Sequence, residues 1–314
     1  MQKQFLLILT IFLSFACAWS QDRRTDSLHI KLTRIYSELD SLFNSSDSTS
    51  TIGLIESFLT SPRPKDSSKL LVRLGYNSNI SAMNQTLGIK QFGISPGISY
   101  YHKSGFYADV SSYWSKQFVP PAYLTIFAAG YLNALSRKYL LNLEYSYLLY
   151  PNRDDSSTPY TNSFTIGNQL DFTPIQFRID YYYYFGSQTA HRILPSLGLT
   201  FEKKNVGKIK RLAFIPSFSI LFGTESTQEY VPLTLSAQQI LDRLKTGGSL
   251  YNIETVTVFG LMNYSFTFPF SARTKSWAYQ LSYTYNIPRA LPDEELGLAN
   301  TGYLSMSIGR YIKL

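Results

Sequence analysis

The stretch Ile175-Gln-Phe-Arg-Ile-Asp-Tyr-Tyr-Tyr-Tyr-Phe185 alternates without a slip. Because successive side chains of a strand point to opposite faces, Ile175, Phe177, Ile179, Tyr181, Tyr183 and Phe185 share one face, while Gln176, Arg178 and Asp180 share the other. The pattern recurs. In Tyr139–Tyr150 the apolar face is Tyr139, Leu141, Leu143, Tyr145, Tyr147 and Leu149, set against Asn142, Glu144 and Ser146. In a third run Trp277, Tyr279, Leu281, Tyr283 and Tyr285 face away from Gln280, Ser282 and Thr284. Runs of about ten residues suit tilted strands that cross a bilayer. Strands of soluble domains average only about five or six. A soluble sandwich would leave one of these apolar faces exposed as an aggregation hazard, so the pattern points to lipid on that side.

Working outward, this period of two continues from Lys69 onward and predicts an all-β fold: an antiparallel transmembrane up-and-down β-barrel of about twelve strands. The strands fall near 70–80, 91–103, 106–117, 123–135, 138–150, 162–172, 175–186, 191–203, 209–222, 253–268, 276–287 and 301–313. Their connections alternate in kind. Tight, often basic links at Lys103–Gly105, Ser136–Arg137, Thr173–Pro174, Lys204–Lys208 and Pro269–Lys275 alternate with longer polar ones, of which Gly223–Asn252 is the longest. Short periplasmic turns and long outer loops are the expected barrel arrangement, which places both termini in the periplasm. Pro96, Pro195 and Pro216 fall inside strands and are read as bulges or strand-end bends.

Composition agrees with this reading. The 314 residues include 25 Tyr and 21 Phe, aromatic residues reach 16%, and charged residues are also 16%, against about 25% in soluble proteins. Mean hydropathy is -0.10, as expected where lipid-facing and lumen-facing residues cancel along each strand. A single cysteine excludes a disulfide scaffold.

The segment 1–20 reads as a signal peptide: Lys3, an apolar run Phe5–Ala16, then Ala16-Cys17-Ala18 or Ala18-Trp19-Ser20 as a small-residue exit. Cys17 stands where a lipidated cysteine stands in lipoproteins, but Ser14 occupies the position of the usual leucine. Residues 21–65 read as a periplasmic helical arm and linker. Leu28, Leu32, Ile35, Leu39 and Leu42 fall at alternating spacings of four and three, which makes an amphipathic helix from Gln21 to about Phe43; the Asn44–Thr51 run breaks it, and a shorter apolar piece, Ile52–Leu59, precedes the boundary at Ser61-Pro-Arg-Pro64. The arm either packs on itself or contacts a partner or the barrel. Within the longest loop, Ser236–Lys245 reads as a short capped helix with Ile240, Leu241 and Leu244 on one side, a second candidate partner contact. Residues 69–314 are the barrel.

In its Tyr181-Tyr-Tyr-Tyr-Phe185 strand and its terminal strand Gly302-Tyr-Leu-Ser-Met-Ser-Ile-Gly-Arg-Tyr-Ile-Lys-Leu314, the chain resembles Gram-negative outer-membrane β-barrel proteins, those of Bacteroidota in particular. The resemblance covers Lys69–Leu314 and departs from the usual terminal Phe by ending in Leu314. It implies fold and location, the outer membrane, but no substrate.

Candidate lumen-lining residues are Arg73, Asp109, Glu144, Asp171, Arg178, Asp180, Glu202 and Gln280, with Asp171 and Arg178 expected to pair across one tight turn. No phosphate-binding loop, dinucleotide fingerprint, nucleophile elbow or metal-ligand spacing occurs, so neither a cofactor nor a metal is expected. His102 and Ser104 are similar to the His-x-Ser pair of outer-membrane phospholipase A, although Gly105 follows one residue too early. That resemblance implies a remote hydrolase alternative in which His102 activates Ser104. The net charge of +8 is spread over the turns and arm rather than gathered in one patch, which argues against nucleic acid and for contact with anionic lipid headgroups. The leading expectation is a narrow passive channel for small polar solutes. The alternative is a non-conducting accessory subunit that binds envelope proteins through its arm and longest loop.

Overall fold

The computed structural model describes residues 68–78, 81–82, 85–86, 93–116, 119–136, 138–151, 160–232, 251–291 and 300–314, with backbone alone for 81–82, 85–86, 225–232 and 251–256. The expected signal peptide and arm, with Leu28, Leu32, Ile35, Leu39 and Leu42, lie outside the described residues. So does the expected loop helix with Ile240, Leu241 and Leu244.

The strands are β1 (Lys69–Asn77), β2 (Ser81–Ala82), β3 (Gln85–Thr86), β4 (Gly93–Tyr101), β5 (Phe106–Trp114), β6 (Ala122–Ala134), β7 (Tyr139–Leu149) and β8 (Tyr160–Phe172). They continue as β9 (Ile175–Gly186), β10 (Thr189–Leu199), β11 (Phe201–Val206), β12 (Ile209–Phe214), β13 (Ser217–Pro232), β14 (Tyr251–Arg273), β15 (Trp277–Pro288) and β16 (Thr301–Lys313). Each neighbour pair is antiparallel, and the order β1-β4-β5-β6-β7-β8-β9-β10-β13-β14-β15-β16 closes on itself where β16 pairs with β1. The result is a closed barrel of 12 strands, as the alternation predicts. β11 and β12 extend two of these strands into a hairpin at the tight-turn rim, with Arg211–Phe214 still paired to β14. β2 and β3 form a minute hairpin of their own.

The faces sort as the sequence requires. On β1, Val72, Leu74 and Tyr76 are exposed while Leu71 is buried and Arg73 half-buried; on β9, Ile175, Phe177 and Ile179 are exposed while Asp180 is buried. Closure leaves no strand edge in the ring, so the exposed apolar face is the outer wall and the buried face the inner one. The outer apolar band reaches the tight turns, where Phe106, Leu135, Phe172, Ile175, Trp277 and Ile312 are all exposed.

Three expectations are corrected. First, the interval Gly223–Asn252 is not all loop: β13 runs to Pro232 and β14 starts at Tyr251, their ladder ending at Pro232↔Tyr251. The ladders to β10 and β15 stop at Gly223 and Asn263, so this pair projects past the long-loop rim as a two-stranded ribbon. Likewise β14 continues through Pro269 to Arg273, which shortens the turn expected there. Second, the prolines are not bulges. Pro96 pairs with Leu74 and Pro195 with Ile179, while the ladders on their other sides skip them without changing register. A residue without an N–H satisfies one neighbour and leaves a gap toward the other. Pro216 does fall in a break, between β12 and β13. The register shifts lie elsewhere, at Tyr113/Trp114, Tyr160/Asn162 and Leu221/Phe222. Third, the inner face is not polar throughout. Toward the long-loop rim it carries a buried cluster of Tyr113, Leu124, Ile126, Leu148, Tyr160 and Tyr184, and a second of Leu194, Leu221, Met262 and Leu291, with Tyr182 packed against both.

Candidate functional site: the inner wall

The inner wall has two tiers. The apolar one lies toward the long loops, where Tyr182 and Tyr184 stack with ring centroids 6.1 Å apart and Tyr160 meets Tyr184 at 5.9 Å. The polar one begins beneath it and is built from side chains that cross between strands.

Arg73 on β1 reaches past β4 to Asp109 on β5. Its Nη1 donates to Asp109 Oδ1 at 2.5 Å and its Nη2 to Oδ2 at 2.8 Å, the two-pronged geometry for which a guanidinium and a carboxylate are matched. Ser99 donates to Oδ1 at 2.5 Å and Ser111 to Oδ2 at 2.7 Å, and both serines also accept from the guanidinium. Both carboxylate oxygens are therefore occupied twice. The crossing is possible because the intervening residue is Gly97, where a Cβ would stand 3.0 Å from Arg73 Cζ and Nε.

Tyr107 repeats the device two strands further round. It lies across Gly130 on β6, where a Cβ would come within 2.5 Å of its hydroxyl, and donates to Glu144 Oε2 on β7 at 2.5 Å, with Asn142 Oδ1 3.0 Å away. Ser146 donates to the other Glu144 oxygen at 3.1 Å. On β9, Arg178 Nε donates to Asp180 Oδ2 at 2.5 Å; Asp180 is 1% exposed. An uncharged patch stands at the long-loop end beside the apolar tier, where Asn263 pairs with Leu221 and Pro288: Asn263 Nδ2 donates to Ser265 at 2.9 Å and to Asn286 Oδ1 at 3.3 Å, and Ser265 donates to Asn286 Oδ1 at 2.8 Å.

The remaining candidate positions fall differently. Asp171 does not pair with Arg178: its Oδ1 accepts from the Thr173 backbone at 3.0 Å and hydroxyl at 2.9 Å, so the turn itself claims the carboxylate, and Arg178 turns to Asp180 two residues along its own strand. Glu202 sits on the β11–β12 hairpin, bridged to Lys204 at 3.2 Å and Arg211 at 3.1 Å. Gln280 lies half-buried on β15 opposite Ser307. Sequence reasoning missed Tyr107, Ser99 and Ser111, the partners of its charged residues, and the two glycines they depend on. The signal for the glycines is their position, opposite a long polar side chain in the ladder, and it becomes visible only once register is known.

His102 and Ser104 do meet, with Nδ1 and Oγ 2.6 Å apart, in the tight turn between β4 and β5. The Ser104 backbone N–H also donates to Nδ1 at 3.3 Å, which makes the imidazole a brace of the turn. Among the described residues no group of His, Cys, Asp and Glu converges to hold a metal.

No protein-family model matches the chain, and no curated protein matches it. Solved structures similar to it include the NanC porin in a rhombohedral crystal form, 13% identical with a TM-score of 0.42, covering 78% of this chain and 100% of that one. The KdgM porin is 9% identical with a TM-score of 0.43, covering 77% and 98%. The translocator domain of the autotransporter NalP from Neisseria meningitidis is 8% identical with a TM-score of 0.34, covering 92% and 100%. These likenesses concern barrel architecture alone.

Proposed function

We propose that the protein is an integral outer-membrane channel, narrow and passive, for small polar solutes. The observation that carries this reading is the hydrogen-bonding inner wall: Arg73 with Asp109 and Arg178 with Asp180 offset each other's charge, Glu144 is held by the Tyr107 and Ser146 hydroxyls, and Asn263, Ser265 and Asn286 form an uncharged patch. A wall of that kind supplies exchangeable hydrogen bonds along a path without binding any one ion tightly, as conduction of polar solutes needs. A barrel of this size is narrow enough for side chains to decide whether it conducts. Planar-bilayer recording of the purified, detergent-solubilised protein tests the reading. Discrete current steps, together with swelling of protein-bearing vesicles in small neutral sugars, are expected; a silent membrane from correctly folded protein overturns it.

The apolar tier supports a second reading. Tyr113, Leu124, Ile126, Leu148, Tyr160 and Tyr184 are each less than 5% exposed and pack together on the inner wall, as they would in a barrel sealed by its own side chains. In that case the protein is a non-conducting subunit of an envelope complex, and silence in the bilayer would be accompanied by stable co-purifying partners.

A further inference from the structure

We propose that the tight-turn rim is a binding collar for anionic glycerophospholipid headgroups, selecting them over zwitterionic ones.

The collar starts with aromatic rings at the edge of the outer apolar band. Two of them carry a cation: Arg310 lies over Trp277 at 5.6 Å and Lys138 over Phe172 at 5.4 Å. Both pairs belong to the tight-turn ends of their strands, and Trp277 lies opposite Arg310 in the ladder. A ring buried in acyl chain with a cation just beyond it sets the charge at headgroup level. A guanidinium fork held at that level matches the oxygens of a phosphodiester.

The field there is one-signed. Lys103, Lys208 and Lys275 are exposed in the turns themselves. The rim's two described acids are already engaged, Asp171 by Thr173 and Glu202 by Lys204 and Arg211. The exposed basic residues described at the opposite rim are Lys116 and Arg289. Basic side chains at this depth attract acidic lipids by about 1 kcal/mol each, roughly a fivefold preference. Apart from the β11–β12 hairpin the turns are short, so the rest of the rim stays close to the bilayer surface. A compact glycerophospholipid headgroup fits beneath it, whereas a bulky saccharide headgroup would need longer loops to meet it.

This inference needs the barrel to lie in a bilayer but does not depend on whether it conducts, so a silent recording leaves it standing. The test uses full-length protein in nanodiscs containing equal amounts of phosphatidylglycerol and phosphatidylethanolamine, followed by washing and quantification of the lipids retained on the protein. At least fivefold enrichment of phosphatidylglycerol is expected, falling toward equality in the Lys138→Gln/Arg310→Gln variant and kept in Arg310→Lys. Should the double variant fail to fold, rising salt gives the same answer on the wild type, because screening must erase the preference. Equal retention of the two lipids by the wild type, or enrichment indifferent to both salt and substitution, overturns the proposal. Displacement of phosphatidylglycerol by equimolar lipid A would overturn its assignment to glycerophospholipid.

Discussion

Arg73 rests against Gly97 so closely that any Cβ at position 97 would stand 3.0 Å from the centre of the guanidinium. The glycine is thus part of the ion pair although it carries no charge.

Gly97→Val is therefore expected to push Arg73 off Asp109 and strand a carboxylate on the inner wall. Breaking a buried pair in this way costs about 3–5 kcal/mol. The check is unfolding of the detergent-solubilised barrel in denaturant, read as the change from folded to unfolded migration on a gel. Gly97→Ala should cost less, because the guanidinium has only a few tenths of an ångström to give. Wild-type stability in the valine variant would show that Arg73 has another seat.

Replacing one partner of the same pair should change what passes through the barrel. In a salt gradient the wild type is expected to show a small reversal potential. Arg73→Gln should shift it toward cations by exposing the Asp109 charge, and Asp109→Asn should shift it toward anions. The double variant should return it close to the wild-type value, which distinguishes charge compensation from a general distortion of the wall.

Tyr107→Phe removes the hydroxyl that donates to Glu144 at 2.5 Å. A hydrogen bond to a charged group contributes about 1.5–3 kcal/mol, and a loss of that order is expected in denaturant unfolding. Gly130→Ala should be as damaging or worse, since its methyl group would occupy the space of the Tyr107 ring terminus. Equal stability of Tyr107→Phe and the wild type would mean that Glu144 is satisfied by water instead.

Leu148 is 3% exposed within the apolar tier. Truncation to Ala should cost about 2–5 kcal/mol as any core cavity does. If that tier is also the constriction, single-channel current should rise in the same variant. A fall in stability with unchanged current would place the conducting path along the Asn263, Ser265 and Asn286 wall.

The strands were legible because lipid enforces the alternation on one face: Ile175–Phe185 names its outer residues without ambiguity. The apolar tier was not. Leu140 and Leu148 point inward beside outward Leu141 and Leu149, so a run of leucines reads the same whichever side each faces. The projecting ribbon was missed for the opposite reason, since Thr224–Gln228 is polar on both faces and has no lipid to impose a period. The ion pairs fall between these cases. The sequence presents Arg73, Asp109, Arg178 and Asp180 as inner residues, but pairing is decided by who crosses whom. Arg73 passes over one whole strand to its carboxylate, a step that spacing along the chain does not encode.

The seam between β1 and β16 also dictates an order of events. Lys69 lies opposite Lys313, and Ser78 Oγ accepts from the Leu304 backbone N–H across 226 positions of chain. Until β16 has been synthesised and delivered, β1 has a bare edge, and a bilayer interior does not tolerate unpaired backbone groups. The barrel therefore cannot be laid into the membrane strand by strand from its first residue. The chain has to be kept from aggregating in water until its last strand arrives, and insertion and closure then occur together.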